Sequence, residues 1–375
     1  MPLFIGLMSG TSLDGVDGVL AVIDEHDDGC QTQVMSASHV NFPANLRSTL
    51  LALQHPGTDD LHHEALAANQ LATCYATCVS QLLASTGVTS DQVVAIGAHG
   101  QTVRHRPELG YTRQINNGAL LAELTGIDVV VDFRSRDIAA GGQGAPLVPA
   151  FHQALFSADS VRVIANIGGI SNISVLPPRS SVASPATGFD TGPGNMLLDL
   201  WTNRHHSQPY DDDGNWAATG TVDAPLLTAF RDDPFFRVTG PKSTGRDLFN
   251  AHWLDHHLTS FDHVSSADVQ TTLVELTATT LIDALVTAAP QADDVFICGG
   301  GAFNTFLMGR LQAALTAKGS AATVRSTIQL GAPPDQVEAL AFAWLALRFT
   351  TRTTGNLPTV TGARGTRILG ALYPA

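Results

Sequence analysis

Residues 3–24, LFIGLMSGTSLDGVDGVLAVID, are two apolar runs separated by a short turn of mostly small or polar residues, SGTSLDG. That gap is too short for a helix, so the runs are predicted to be strands paired through a turn. P-loops and dinucleotide fingerprints differ, because there the glycines lead from a strand into a helix. Gly10 and Gly15 let backbone N–H groups converge on an anion with no Cβ in the way. Thr11 and Ser12 add hydroxyl donors, and Asp14 or Asp17 is suited to a metal ion beside phosphates. Taken alone, the same residues fit an ordinary hairpin turn as well as a phosphate site.

The pattern returns at residues 162–176, RVIANIGGISNISVL, where an apolar run leads through Asn166, Gly168 and Gly169 into a second run. Two such hairpins suggest two lobes of related architecture, each turning toward one phosphate chain. A third glycine stretch has another grammar. Residues 295–298 run into Gly299, Gly300 and Gly301, and Leu307, Leu311 and Leu315 then recur at helical spacing. This strand feeds a helix, and its glycines allow close approach to a flat ring, which suits a base and ribose.

A chain of 375 residues is long enough for two domains, and 44% hydrophobic against 14% charged residues supplies ample core. The net charge of −14 argues against nucleic acid or an anionic membrane as partner. An anionic substrate or nucleotide therefore needs arginines, backbone N–H groups and a cation close by. Cys30, Cys74, Cys78 and Cys298 lack zinc-site spacing and are read as free thiols of a reducing compartment. No run reaches 18 uninterrupted apolar residues, and the N-terminus lacks the basic start of a signal peptide. A soluble, cytoplasmic protein is expected.

The strand predicted at 93–96 ends on GAHGQTVRH, and ligands gather at strand ends in α/β sheets. His99, Gln101 and His105 are candidate contacts there, with a satisfied loop histidine as the alternative. A helix is predicted at 114–124 and a strand at 127–132. Residues 132–149 form a long stretch without periodicity, a common setting for function. It holds Arg134 and Arg136 in a chain with 20 basic residues. One of them suits a substrate carboxylate in a bidentate fork; the competing reading is a salt bridge to Asp132 or Asp137.

In ATGFDTGPGNMLLDLW, Pro193 is predicted as the first residue of a helix through Met196, Leu197 and Leu200. Asp190 would then precede a helix N-terminus whose dipole and N–H groups keep it ionised, as a base requires. The competing role is a simple helix cap. In residues 239–249, Lys242 or Arg246 could steady phosphate charge. Glu338 opens a helix predicted at 335–349, where a dipole partner is the ordinary reading. A strand is predicted at 367–372.

Taken in order, MSGTSLDGVD, HGQTVRH, DFRSRDIAAGGQGAPLVP, NIGGISN, GFDTGPGN and CGGGAFN resemble the anhydro-N-acetylmuramic acid kinases of bacteria. The likeness continues through LPTVTGA and ILGALYP, so it covers nearly the whole chain. It implies an α/β, two-lobed actin/hexokinase-like fold with ATP in the cleft between lobes. Residues 1–130 with 356–375 are expected as the N-terminal lobe and 131–355 as the C-terminal lobe. Gly10, Thr11, Ser12, Leu13, Asp14, Gly15, Val16 and Asp17 would hold the ATP phosphates. Asn166, Gly168, Gly169, Gly299, Gly300, Gly301 and Asn304 would complete the nucleotide site. The catalytic aspartate falls on Asp190 and a supporting glutamate on Glu338. His99, Gln101, Arg134, Arg136, Gly192 and Pro193 are the candidate sugar contacts.

The implied reaction opens the 1,6-anhydro bridge with water and phosphorylates O6, giving N-acetylmuramic acid 6-phosphate and ADP in peptidoglycan recycling. ATP and Mg²⁺ would be needed, with Asp14 the candidate metal ligand, and a homodimer is implied. The rivals are a conventional sugar kinase, in which Asp190 deprotonates a hydroxyl, and an actin-like ATP-binding regulator.

Overall fold

The structure, a computed structural model, describes residues 2–10, 13–26, 29–181, 185–238 and 242–375. They form two compact units, Met1–Leu155 with Gln336–Ala375, and Phe156–Asp335.

In the first unit, β1 (Leu3–Met8), β2 (Gly15–His26) and β3 (Gly29–Asn41) form an antiparallel meander. β4 (Val93–Ala98) pairs parallel to β1. β5 (Gln101–Arg106) and β6 (Tyr111–Ile115) make a separate hairpin. β7 (Val129–Val131) then pairs parallel to β4, and the edge strand Ala371–Tyr373 closes the sheet antiparallel to β7. Both faces of this sheet are covered, which is why β1 reads as a continuous apolar run. On one face the 27-residue helix Asp60–Thr86 buries Leu71, Tyr75, Cys78 and Leu82. On the other lies the helix Val337–Thr350, whose backbone approaches so closely that a Cβ on Gly6 or Gly97 would overlap the carbonyls of Ala339 or Phe342.

The second unit repeats the plan. β8 (Arg162–Ile167), β9 (Ile170–Leu176) and β10 (Thr187–Pro193) form an antiparallel meander, and β11 (Asp294–Cys298) and β12 (Thr323–Ser326) follow in parallel. The strand order β10-β9-β8-β11-β12 matches β3-β2-β1-β4-β7 of the first unit, element for element. Two α/β units of one topology were expected from the paired glycine hairpins, and an actin/hexokinase-like fold from the family resemblance. The helix Ser266–Ala288 alone among the described residues has the length and hydropathy of a membrane span. It is mostly buried and forms the core of this unit with Leu273, Leu276 and Leu281.

Several boundaries differ from expectation. Residues 114–115 belong to β6, and the helix begins only at Gly118, after Asn117 caps the Leu120 N–H at 3.0 Å. The stretch 132–149 contains the helix Ser135–Ala139 and the start of the helix Val148–Phe156. The last strand is confined to Ala371–Tyr373. Residues 131–155 and 336–355, expected in the C-terminal lobe, belong to the first unit. The reason is local: the helix Val337–Thr350 is seated on Gly6 and Gly97, and the buried Asp137 carboxylate accepts from Asn356 Nδ2 at 2.6 Å and Thr361 Oγ1 at 2.8 Å. All four cysteines are free and buried.

Candidate active site

The first hairpin turn begins after Met8, which faces Asp17 in the register. Thr11 and Ser12 lie outside the described residues. Leu13 is buried with φ +57°, a left-handed conformation that costs a non-glycine residue about 1–3 kcal/mol and concentrates at functional turns. The Gly15 N–H donates to Asp14 Oδ1 at 2.9 Å, and Asp17 Oδ1 receives His39 Nδ1 at 2.7 Å.

Hydrogen bonds fasten this turn to the end of β4. Ser9 Oγ donates to the Gly100 carbonyl at 3.0 Å, and the Gly100 N–H donates to the Tyr75 hydroxyl at 3.1 Å. The Tyr75 hydroxyl lies 2.9 Å from Ser9 Oγ and closes the ring. Gln101 Nε2 donates to the Gly10 carbonyl at 3.1 Å, leaving its buried Oε1 without a protein partner among the described residues.

His99 completes the junction. It is buried, and its Nδ1 lies 3.2 Å from the Ser9 carbonyl. Its Nε2 receives both Nε and Nη2 of Arg134, at 3.2 and 3.0 Å. Burial, followed by the Arg134 charge, pushes the imidazole pKa down to about 3. A neutral ring results, with Nδ1–H donating to Ser9 and Nε2 accepting from the guanidinium. Arg134 Nη1 donates to the Gly144 carbonyl at 2.9 Å, and Gly144 N–H donates to Asp137 Oδ2 at 2.8 Å. Neither predicted acidic rival forms an ion pair with Arg134. Asp132 accepts from Ser135 Oγ at 2.6 Å, and Asp137 is occupied in binding Gly144, Asn356 and Thr361.

Glu338 shares this environment. Burial raises its carboxyl pKa, the Arg134 charge opposes that rise, and Asp17 adds to it. His99, Gln101, Arg134 and Glu338 thus come together with the hairpin turn. Arg136 is exposed and has no ion pair among the described residues, while His105 turns to Thr112 Oγ1 at 2.9 Å.

In the second unit Asp190 lies within β10, and the predicted helix start is corrected. Pro193 ends the strand, and the helix is Met196–His206. Asp190 therefore neither caps that helix nor draws on its dipole. Its own N–H donates to the Lys242 carbonyl at 3.0 Å, and its Oδ2 accepts the Thr244 N–H at 2.9 Å. Burial pushes its pKa up to about 6, against opposing hydrogen bonds from Thr244 and Ser243. A helix dipole and nearby N–H groups were expected to keep it ionised; at β10 there is no such helix start, and desolvation outweighs two donors. Lys242, a candidate for phosphate charge, donates instead to the Phe235 carbonyl at 2.9 Å and lies 4.1 Å from that ring's centroid.

The pairing of β10 with β9 shifts register between Asp190 and Gly192. Gly192 has φ +146°, and a Cβ there would come within 2.8 Å of Phe236. The Pro193 carbonyl accepts from Thr277 Oγ1 at 3.1 Å. Beyond this bulge the chain folds over the second hairpin turn, with Gly194 N–H on the Gly169 carbonyl at 2.9 Å and Asn195 N–H on the Gly168 carbonyl at 2.8 Å.

Asn166 Oδ1 and Ser171 Oγ are buried there without a protein partner among the described residues. Gly299, with φ +79°, passes so close to Asn166 Oδ1 that a Cβ would overlap it. Gly300 lies beside Asn195, where a Cβ would be 3.5 Å from Nδ2. Buried polar atoms are rarely left unpaired, so this glycine-walled recess fits a hydroxyl-rich ligand such as a ribose. Asn304 is less available, since its Oδ1 caps the helix Thr305–Ala317 through the Leu307 N–H at 2.8 Å.

Sequence reasoning missed Ser9, Tyr75, Asp137, Ser171 and Asn195. Ser9, Ser171 and Asn195 adjoin glycines already singled out. Tyr75 offered no signal, because it sits within the apolar stripe of a long helix.

Two α/β units of one topology, each with a glycine hairpin turn, place the chain in the actin/hexokinase-like fold class. Residues 2–375 match the profile of the anhydro-N-acetylmuramic acid kinase family, and the chain belongs to that family. It is 55% identical over 379 residues to the anhydro-N-acetylmuramic acid kinase of Burkholderia pseudomallei (strain 1710b), covering 99% of this chain and 97% of that one. The corresponding Burkholderia lata enzyme is 56% identical over 373 residues, covering 99% and 96%. Among solved structures, a ROK family glucokinase from Streptomyces griseus in complex with glucose and AMPPNP aligns at TM-score 0.41 and 10% identity, over 92% of this chain and 98% of that one. The chain is accordingly a sugar kinase that acts on anhydro-N-acetylmuramic acid.

Proposed function

We propose that Asp190 is the base of a coupled hydrolysis and phosphoryl transfer. The observation that carries this reading is a carboxylate held at both backbone and side chain, with its pKa raised to about 6. At neutral pH it is mostly ionised yet basic enough to accept a proton, the compromise a general base needs.

The substrate has no free 6-hydroxyl, because O6 bridges to C1. Asp190 takes a proton from a water that attacks C1. The C1–O6 bond breaks, its electron pair stays on O6, and O6 takes the γ-phosphoryl group of ATP to release ADP. An ordinary glycosidase needs a second carboxyl to protonate the leaving oxygen. Here phosphorus receives that charge, so one base suffices.

Arg134, rather than Arg136, is the candidate reader of the lactyl carboxylate. Three of its five N–H groups are engaged by His99 and Gly144, which fixes the guanidinium and leaves two for a ligand. Neutral His99 orients Arg134, and Glu338 balances its charge. The glycine recess of Asn166, Ser171 and Gly299 is assigned to the nucleotide, and the hairpin turn at residues 10–17 to its phosphates. Mg²⁺, with Asp14 the candidate protein ligand, would neutralise charge on the phosphates.

Turnover in ¹⁸O-water tests the reading. Hydrolytic opening places label on the anomeric oxygen of the phosphorylated product, and an unlabelled product would overturn it in favour of a conventional kinase.

A further inference from the structure

A pocket of about 200 Å³ lies in the second unit. Phe189 and Thr191, the neighbours of Asp190 in β10, line it, and Asp190 itself does not. Phe236 supplies a second aromatic wall, and Thr280 and Thr287 of the helix Ser266–Ala288 add hydroxyls.

The charge of the lining is unusual for this molecule. Arg231, Arg237 and Lys242 face one carboxylate, Asp283, in a chain where 34 acidic residues outnumber 20 basic ones. Asp283 is shared, since it pairs with Arg231 and also with Lys318 at 2.6 Å. Arg237 pairs with an exposed Asp232. Lys242 has no carboxylate partner among the described residues; its ammonium has only the Phe235 carbonyl and ring. Burial lowers its pKa, as for a cation short of solvation and counter-charge.

We propose that this pocket is a second binding site, separate from the kinase residues, for a small organic anion. One carboxylate or phosphate group would meet Lys242 and Arg237, and an apolar face would lie against Phe189 and Phe236. The volume falls below the roughly 300–1,000 Å³ of drug-sized sites, which limits the ligand to a small metabolite. The site is next to the catalytic base in the chain, because the Lys242 carbonyl and Thr244 N–H are the groups that hold Asp190.

Calorimetry on the full chain tests this with phenyl phosphate, inorganic phosphate and benzyl alcohol. Phenyl phosphate should bind once per chain and tighter than inorganic phosphate, and benzyl alcohol should give no binding. Arg237→Gln, an exposed change outside the kinase residues, should weaken phenyl phosphate by about tenfold or more, while ADP release without the probe stays unchanged. Saturating ATP analogue and anhydro sugar should leave the probe bound. Equal binding to R237Q, displacement by the substrates, or no binding of phenyl phosphate would each overturn the proposal. These readouts do not depend on the role given to Asp190.

Discussion

Replacing Asp190 by Asn should abolish activity while making the protein more stable, and the structure sets the size of the gain. The carboxyl pKa rises from an ordinary 3.8 to about 6. At about 1.36 kcal/mol per pH unit, ionising it in the folded chain costs about 3 kcal/mol at neutral pH. Asn retains an acceptor for the Thr244 N–H, and the charge-assisted part of that bond is already contained in the net pKa shift. A gain of about 3 kcal/mol at pH 7 follows.

The sign with pH is set by linkage. Between pH 4 and pH 6 the folded parent binds more protons at this site than the unfolded chain, so its stability falls as pH rises through the window. D190N lacks this titration, so its advantage should be full above about pH 6 and vanish near pH 4. Urea unfolding followed by tryptophan fluorescence suits the test, because Trp201, Trp216 and Trp253 lie in the second unit and only Trp344 in the first. ADP release should fall by at least about a hundredfold, and the parent's kcat/KM should show an acid limb near pH 6. A variant that is less stable at pH 7, or whose stability difference ignores pH, would refute the claim that the site strains the carboxylate. Retained turnover would refute its role as base.

Three other substitutions test the first unit. Asp137→Asn weakens the clamp on Gly144, Asn356 and Thr361, loosening Arg134; KM for the sugar should rise about tenfold or more, at roughly 1.4 kcal/mol, with KM for ATP little changed in steady-state assays. Tyr75→Phe leaves the buried Gly100 N–H unpaired and should cost about 1–3 kcal/mol in urea unfolding. Gly97→Ala places a methyl group against the Phe342 carbonyl, so the helix carrying Glu338 must move; a loss of about 1–3 kcal/mol or more with reduced ADP release is expected, and parent-like behaviour would contradict that close approach.

Much of this protein was determined by local sequence. The two hairpins, the strand feeding a helix at Gly299–Gly301 and the apolar helices follow from periodicity and glycine placement, which act over a few residues. Glu338 shows where that reasoning stopped. As a first-turn glutamate it is an ordinary dipole partner, and only the seating of its helix on Gly6 and Gly97 brings it near Arg134. Asp190 was legible as a residue but not as an environment. Its neighbours suggested a helix dipole, whereas desolvation and a segment more than 50 residues later set its pKa. Asp137 was weighed only as a rival ion pair for the arginines, yet it ties residues 219 and 224 positions away to the arginine loop. Turn chemistry is short-ranged and can be read from the chain. Burial and distant hydrogen bonds depend on which segments the fold brings together, so the site's electrostatics were decided only by tertiary structure.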